Sequence, residues 1–206
     1  MSRGDPLTNL VGVSTPQREG SITLVRHGES TWNVRRLIQG HNNAAQLTQI
    51  GRDQAREVAE SLKSLAFDQL ITSDLARARE TAEIIGAELN LTPVADSLLR
   101  ERCFGVLEGE PSKMLDAASS GILDDVLVDP DARPEGGESF RDVVTRAGVF
   151  FESVRDSLGS QRLLVVTHGG TIRALRAYVD AQPLEGLEAF EVTNCSVWNL
   201  FPSPVD

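Results

Sequence analysis

Three short stretches of the sequence place histidine or arginine directly after an apolar run. Arg26-His27-Gly28 follows ITLV, and His168-Gly169-Gly170 follows LLVVT. Arg77 lies in TSDLARA, which begins at the end of the run QLIT. If they met, these stretches would supply two imidazoles, two guanidiniums and glycine amides that a bound anion can approach closely. A phosphoryl group fits best, because arginines bind its oxygens while an imidazole nitrogen attacks phosphorus in line.

Each stretch alone also has an ordinary structural interpretation. An Arg-His-Gly tripeptide occurs in many strand-end turns, and His168 alone is equally consistent with a histidine hydrogen-bonded beneath a Gly-Gly turn. Arg77 and Arg79 would ordinarily pair with Glu80 or Glu83 on a helix surface. For Arg79 we keep that ion-pair interpretation. Three matching stretches in one short chain favour the functional interpretation for the others.

Strands and helices alternate along the chain and would position these stretches. Helical spacing of apolar residues predicts helices over about 49–64, 75–89, 139–158 and 169–179, with Thr48 and Ser139 as candidate N-caps. Strands are predicted for ITLV, DQLITS, a piece near Val94, RLLVVT and CSVWNLF. This order indicates a three-layer α/β/α sandwich with a mostly parallel central sheet. In such sheets ligands bind beyond the carboxyl ends of the strands, where the three stretches fall.

A series of sequence blocks resembles the histidine phosphatase superfamily, the phosphoglycerate mutase-like group. The blocks are LVRHGESTWN, LTQIGRDQA, TSDLARARETA, LLRERCFGVLEG, PEGGES and VVTHGGTIRAL, and they extend over residues 22–200. The resemblance implies that His27 is the nucleophile that becomes a phosphohistidine. It also implies that Arg26, Arg77 and His168 surround the phosphoryl group. The sequence alone does not rank His27 over His168 as nucleophile, so this assignment depends on the resemblance.

The same resemblance implies that Glu101 is the general acid that protonates the leaving oxygen and then activates water. Without the family, Glu101 in RERC is more readily explained by an ion pair with Arg100 or Arg102 on the surface. His27 must attack as the neutral imidazole, so we expect a backbone acceptor to hold its other ring nitrogen.

Further residues are predicted to bind substrate around these groups. Asn33 matches a family asparagine that donates to the phosphate, and Gly169 or Gly170 would offer a backbone N–H. Glu29 is a supporting residue that either orients a neighbouring group or forms an ordinary ion pair with an arginine.

Two segments depart from the family pattern. The loop HNNAAQ is one residue longer than usual and lacks the common proline before the leucine, and its His41 is interpreted as an exposed loop imidazole rather than a substrate contact. The segment VLEGEPSKML lacks the tryptophan that often precedes Glu-Gly. Both departures are expected to affect selectivity for the substrate.

The branch of the family is judged from residues 111–131 and from HGG. Cofactor-dependent mutases of the family carry a lysine and adjacent arginines in a longer insert, whereas Lys113 is the only cation in 111–131. HGG is similar to the phosphatase branch. The sequence therefore predicts a metal-independent, cofactor-free phosphomonoester hydrolase for a small phosphorylated metabolite, with a phosphoglycerate mutase as the alternative and an inactive binding module as the less favoured one. The physiological substrate is not readable from the sequence.

Composition limits the domain organisation and the partners. The chain has 206 residues, of which 40% are hydrophobic, so we expect a flexible tail over 1–20 and a single domain over 21–206. A net charge of −10 argues against nucleic acid or an anionic membrane as partner. The longest apolar run, 163–166, is far shorter than the ~20 residues that span a bilayer. We expect a cytoplasmic protein.

The two cysteines and the aromatic residues near the C-terminus have ordinary structural interpretations. Cys103 and Cys195 lie in unrelated contexts and indicate neither a disulfide framework nor a metal site, so they are predicted to be reduced thiols. Trp198 and Phe201 fit either an edge strand buried in a homodimer or ordinary core packing.

Overall fold

A computed structural model describes residues 20–112, 129–159, 161–184 and 191–200. The predicted N-terminal tail, except Gly20, lies outside the described residues, as do Lys113 and Phe201. The single domain over 21–206 stays a prediction.

The centre of the fold is a five-stranded sheet. Its strands are β1 (Ser21–Arg26), β2 (Gln69–Thr72), β3 (Pro93–Ala95), β4 (Arg162–Thr167) and β5 (Val197–Leu200). Their order is β3-β2-β4-β1-β5, and every neighbouring pair is parallel except β1 and β5. The predicted mostly parallel sheet is confirmed. The antiparallel strand β5 forms one edge.

Helices cover both faces of this sheet. They are α1 (Thr31–Val34), α2 (Gln49–Leu62), α3 (Ala76–Leu89), α4 (Phe140–Arg155) and α5 (Gly169–Val179). Short 3-10 turns at Ser97–Leu99, Gly105–Leu107 and Asp156–Gly159 lie in the connections. None of the helices in the described part of the chain is long and apolar enough to cross a membrane.

The side chains of β4 explain the three layers. Leu163 and Val165 belong to a core cluster that includes residues of α4 and α5. Leu164 and Val166 belong to a second cluster with residues of α2 and α3. Because successive side chains of a strand point to opposite faces, a strand covered on both faces is apolar throughout. The predicted α/β/α sandwich is therefore confirmed.

The helix starts follow from local capping. The Thr48 side chain accepts a hydrogen bond from the Gly51 amide at 3.0 Å, and Ser139 forms a reciprocal capping box with Asp142. Both predicted N-caps are confirmed. The helix predicted over 49–64 ends at Leu62, and α1 was not predicted because four residues are too few to show helical periodicity.

Candidate active site

The carboxyl ends of β1, β4 and β2, which are adjacent in the sheet, hold the three predicted stretches together. The His27 and His168 rings lie with their centroids 5.2 Å apart. The His27 amide donates to the Thr167 carbonyl at 2.9 Å, which joins the first stretch to the end of β4. Arg77 Nε lies 3.3 Å from His27 Nε2. The structure thus places both histidines and Arg77 in one cluster.

His27 is a buried, neutral imidazole with a defined tautomer. Its Nδ1 lies 2.7 Å from the Gly28 carbonyl oxygen, and because a carbonyl only accepts, Nδ1 carries the proton. Nε2 then has a lone pair, which accepts from Arg77 Nε. Burial, and then the charges of Arg77 and Arg26, hold the pKa of His27 well below its ordinary value. Nε2 is therefore the ring nitrogen that can act as nucleophile, and its attack requires that Arg77 Nε release this hydrogen bond.

Two guanidiniums lie beside this imidazole. Arg77, only 1% exposed, donates from Nη2 to the Gly40 carbonyl at 2.8 Å and from Nη1 to the Asn42 carbonyl at 3.3 Å. Arg26 Nη1 donates to the Val192 carbonyl, while its buried Nε has no hydrogen-bond partner. Burial lowers the pKa of Arg77 to about 10 and also lowers the pKa of Arg26, so both stay charged at neutral pH. Within the described ranges, no carboxylate forms an ion pair with either residue.

His168 is fully buried and has one unused ring nitrogen. Its Nε2 lies 2.8 Å from Ser73 Oγ, whereas Nδ1 has no partner. Ser73 Oγ accepts from the Leu75 amide at 3.3 Å, so its own O–H can donate to Nε2. In that arrangement the proton of His168 is on Nδ1. Burial, followed by the charge of Arg77, keeps the pKa of His168 well below its ordinary value.

Glu101 is held at its carboxylate by two backbone amides. Oε1 accepts from the Arg102 amide at 2.9 Å and Oε2 from the Gly170 amide at 3.2 Å. A Cβ at residue 170 would lie 2.3 Å from Oε1, so this position of Glu101 requires glycine. Arg100 instead forms an ion pair with Asp74, at 2.7 Å between Nε and Oδ1, which removes one of the surface partners considered for Glu101.

The amides of Gly28 and Gly170 have partners within the protein, whereas the predicted binding role of Gly169 stays a prediction. The Gly28 amide donates to Thr81 Oγ1 at 3.1 Å, and a Cβ there would lie 2.4 Å from the Gly51 carbonyl oxygen. Gly28 therefore allows close packing against α2 rather than offering an amide to an anion. Gly169 and Gly170 open α5 but do not line the pocket, and the Gly170 amide is already bonded to Glu101.

Asn33 and Glu29 have different positions relative to the pocket. Asn33 lines the pocket, and its Oδ1 accepts from the Ser30 amide at 3.0 Å, which leaves Nδ2 as a donor. The Glu29 carboxylate accepts from Thr48 Oγ1 at 2.7 Å, and Glu29 is not a lining residue. Its contact supports the start of α2. The binding roles of both residues stay predictions.

A cavity of about 250 Å³ joins most of the catalytic candidates, but the fully buried His168 is not one of its lining residues. Arg26, His27, Asn33, Arg77 and Glu101 line it, together with residues that the sequence analysis missed: Trp32, Arg36, Gln39, Gly40 and Phe104. Trp32 lies in the four-residue helix α1, and the other missed residues lie in irregular segments, so none has a periodic signal. Their position directly after the His27 stretch or beside Glu101 was the available signal. A larger cavity of about 830 Å³ between α4 and α5 contains none of the predicted site residues.

The position of His41 corrects the sequence interpretation. His41 was expected to be an exposed loop imidazole, but its side chain is only 28% exposed. Its Nε2 donates to the Glu101 carbonyl oxygen at 2.7 Å. The contact joins residues sixty positions apart, so local sequence did not reveal it.

Cys103 and Cys195 are free thiols, as predicted. Among the residues that the structure describes, no group of three His, Cys, Asp or Glu side chains is placed to bind a metal ion. Independence from metal stays a prediction, tested below with a chelator.

The two buried histidines predict a loss of stability in mild acid. Between the lowered folded-state pKa and the unfolded value near 6.5, the unfolded chain binds more protons than the folded protein. The free energy of unfolding should therefore fall as the pH drops from about 7.5 to about 5.5, with a slope approaching about 3 kcal/mol per pH unit for two protons. Urea unfolding at a series of pH values measures this slope.

The variant His168→Gln should reduce that slope towards one proton. Histidine NMR signals of the wild type provide a second measurement, since buried His27 and His168 should not titrate near pH 6.5. A free energy of unfolding that stays constant over this pH range would contradict the assignment of two neutral buried imidazoles.

The fold and the site define a class of α/β proteins that place two histidines and two arginines at the carboxyl end of a mostly parallel sheet. The chain belongs to the histidine phosphatase superfamily, branch 1, whose family model matches residues 22–202. This confirms the predicted superfamily and, at that level, the predicted enzyme class of histidine-type phosphatase.

Individual proteins are similar over most of their length. Phosphoglycerate mutase-like protein 4 of Arabidopsis thaliana is 39% identical over 187 residues, which covers 87% of this chain and 79% of that protein. A solved mycobacterial glucosyl-3-phosphoglycerate phosphatase, complexed with VO3, is 30% identical with a TM-score of 0.79, covering 87% of this chain and 92% of that one. The structure of Bacillus stearothermophilus YhfR is 31% identical with a TM-score of 0.78, covering 87% and 89%.

Proposed function

We propose that this protein is a metal-independent phosphomonoester hydrolase that forms a phosphohistidine on His27. The observation that carries the proposal is a neutral imidazole placed beside two charged guanidiniums that have no carboxylate partner in the described residues. Against the larger effect of burial, the Glu101 charge raises the pKa of both arginines, but Glu101 makes no ion-pair contact with them. Buried charge without such a contact is costly, and a phosphoryl dianion would compensate it. The unpartnered Arg26 Nε and His168 Nδ1 are donors that phosphoryl oxygens can satisfy.

In the first step, the Nε2 lone pair of His27 attacks phosphorus and forms an N–P bond. The bond from phosphorus to the leaving oxygen breaks, and the protonated Glu101 carboxyl gives its proton to that oxygen. Arg26, Arg77 and His168 bind the equatorial oxygens, where charge is spread in the transition state.

In the second step, the Glu101 carboxylate takes a proton from water. The water oxygen attacks phosphorus, the N–P bond breaks, and its electron pair returns to Nε2 of His27. Inorganic phosphate leaves, and both residues regain their starting protonation states. Glu101 acts as an acid in the first step and as a base in the second, because the second step repeats the first in reverse with water in place of the leaving group.

The proposed substrate is a small phosphorylated metabolite, because the pocket is compact and joins cations with the aromatic residues Trp32 and Phe104. A mutase would need to hold a second phosphate. Among the described lining residues, Arg36 is the one cation beyond Arg26 and Arg77, and residues 111–131 add only Lys113. Hydrolysis is therefore favoured over the mutase activity that the Arabidopsis relative's name suggests.

The test is phosphate release from a panel of phosphomonoesters, including 3-phosphoglycerate and an aryl phosphate, in the presence of chelator. We expect hydrolysis without metal. Arg77→Gln should lower kcat/KM by roughly 10²- to 10³-fold, because it removes donors aimed at the developing charge. Its matched control is Arg79→Gln, since exposed Arg79 pairs only with Glu83 on the same helix.

Two other results of these assays would identify a mutase or an inactive binding module instead of a hydrolase. Exchange of phosphate between phosphoglycerates, primed by a bisphosphate and without net release, would identify a mutase. Phosphate binding without either activity would identify an inactive binding module.

A further inference from the structure

We propose that His41 is a positioning residue that sets the location of the general acid Glu101. The inference rests on the proposed function, because it assumes that Glu101 protonates the leaving oxygen. It goes beyond that function by giving a role in proton transfer to the loop after α1, where this sequence departs from the family pattern.

The main evidence is the contact between His41 and the backbone of the acid. His41 Nε2 donates to the Glu101 carbonyl oxygen at 2.7 Å, and the His41 amide donates to Glu108 Oε1 at 2.8 Å. The same Glu108 oxygen accepts from the Phe104 amide at 3.1 Å. The loop is thus bonded to the Glu101 segment both directly and through Glu108.

A second donor holds the same carbonyl oxygen, and His41 Nε2 also lies 3.8 Å from Glu138 Oε2. Arg146, on α4, donates from Nη2 to the Glu101 carbonyl oxygen at 2.9 Å and from Nε to Glu138 Oε1 at 2.9 Å. Glu138 Oε2 accepts from the Cys103 amide at 2.9 Å. The backbone of residues 101–103 is therefore fixed between α4 and the His41 loop.

The residues on either side of His41 contact the phosphate-binding arginine. Arg77 donates to the carbonyl oxygens of Gly40, at 2.8 Å, and of Asn42, at 3.3 Å. His41 lies between these two acceptors and directs its own side chain to Glu101. One short loop therefore fixes the distance between the group that binds the phosphoryl oxygens and the group that protonates the leaving oxygen. The carbonyls that hold Arg77 belong to the backbone, whereas the contact to Glu101 is made by the His41 side chain. We therefore expect that removal of this side chain changes proton transfer more than phosphate binding.

Substrates with different leaving groups show whether His41 positions the acid Glu101 or only supports the structure of the pocket. An aryl oxygen of low pKa leaves without a proton, whereas an alkyl oxygen needs the acid. His41→Ala should therefore lower kcat/KM for an alkyl phosphomonoester on the order of 10- to 100-fold, the effect of a small misplacement of a catalytic group. It should leave kcat/KM for a nitrophenyl phosphate within about twofold. We use kcat/KM because it reports phosphoryl transfer to His27 and excludes the later hydrolytic step.

Two further variants sharpen the test. His41→Gln keeps an N–H donor near the same place and should recover part of the alkyl-phosphate activity. Gln46→Ala, in the same loop, removes an exposed side chain that donates to the Asn43 carbonyl at 2.8 Å and should leave kcat/KM unchanged for both substrates. Urea unfolding of each variant establishes that it is folded.

The outcomes separate this inference from the proposed function. Selective loss for alkyl phosphate in His41→Ala, with recovery in His41→Gln, would support the inference. Suppose that Glu101→Gln loses kcat/KM for the alkyl phosphate selectively. If His41→Ala then loses kcat/KM equally for both substrates, or loses none, the inference is overturned and the proposed function stands. If Glu101→Gln itself shows no selectivity, the general-acid assignment fails and the inference fails with it.

Discussion

His27→Ala is expected to lower kcat about 10⁴-fold or more for every phosphomonoester that the wild type hydrolyses, because it removes the attacking atom. The neutral Nε2, fixed by the Nδ1 contact to the Gly28 carbonyl, has no substitute with the same position. Steady-state phosphate release in chelator measures the effect. The loss should be the same for alkyl and aryl substrates, since both pass through the same N–P bond.

The matched comparison is His168→Ala. His168 lies 5.2 Å from His27 between ring centroids, but the proposal gives it a donor role rather than the attacking role. Its removal should cost roughly 10²- to 10³-fold, the cost of one lost donor to the developing charge. A His27→Ala enzyme that is more active than His168→Ala would reverse the assignment of nucleophile. Folding of both variants can be compared by urea unfolding.

Glu101→Gln is expected to have the second largest effect, about 10²- to 10⁴-fold on kcat/KM for alkyl phosphomonoesters. Glutamine has nearly the same shape but cannot give a proton to the leaving oxygen. For a nitrophenyl phosphate, kcat/KM should change little, because that oxygen leaves unprotonated. The second step also needs Glu101 to activate water, so the variant should accumulate phosphohistidine with the aryl substrate.

The measurement is a rapid-mixing experiment with the nitrophenyl substrate. Glu101→Gln should release one equivalent of nitrophenol quickly and then turn over slowly. A variant that loses the fast phase and the slow phase equally would show that Glu101 supports the fold of the pocket rather than the proton transfers. Glu110→Gln serves as a control, since Glu110 is an exposed acid that directly follows the block LLRERCFGVLEG.

The layered fold was predictable from strand β4, which helices cover on both faces. The continuous apolar run of β4 indicated a buried parallel strand. As that pattern requires, Leu163 lies in one core cluster and the next residue, Leu164, in the other. The direction of β5 was not predictable, because pairing with β1 depends on the path of the chain outside the strand. The helix α1 is too short for a periodic signal.

The site was predictable to the extent that it lies at strand ends. Arg26, His27 and His168 follow strands that are neighbours in the sheet, so the rule for ligand sites in α/β folds located them. The roles of Gly28 and Gly170 were missed, because close packing against Gly51 and Glu101 depends on tertiary contacts.

The contacts of Glu29 and His41 were also not predictable, because they too depend on the tertiary structure. Glu29 supports Thr48 at the start of α2, which local charge patterns did not indicate. His41 contacts a carbonyl sixty residues away, and only the folded chain brings that acceptor to it. Residue types and spacing therefore indicated the candidate catalytic groups, whereas the groups that hold them in place became visible in three dimensions.

The most direct test of the account is to trap the phosphoryl-enzyme. Wild type and Glu101→Gln are mixed with a nitrophenyl phosphate, quenched in base where phosphohistidine persists, digested and analysed by mass spectrometry. The account predicts one phosphoryl group on His27, absent from His27→Ala and formed as fast as nitrophenol is released. A phosphoryl group on another residue, or turnover without any phosphoryl-enzyme, would contradict it.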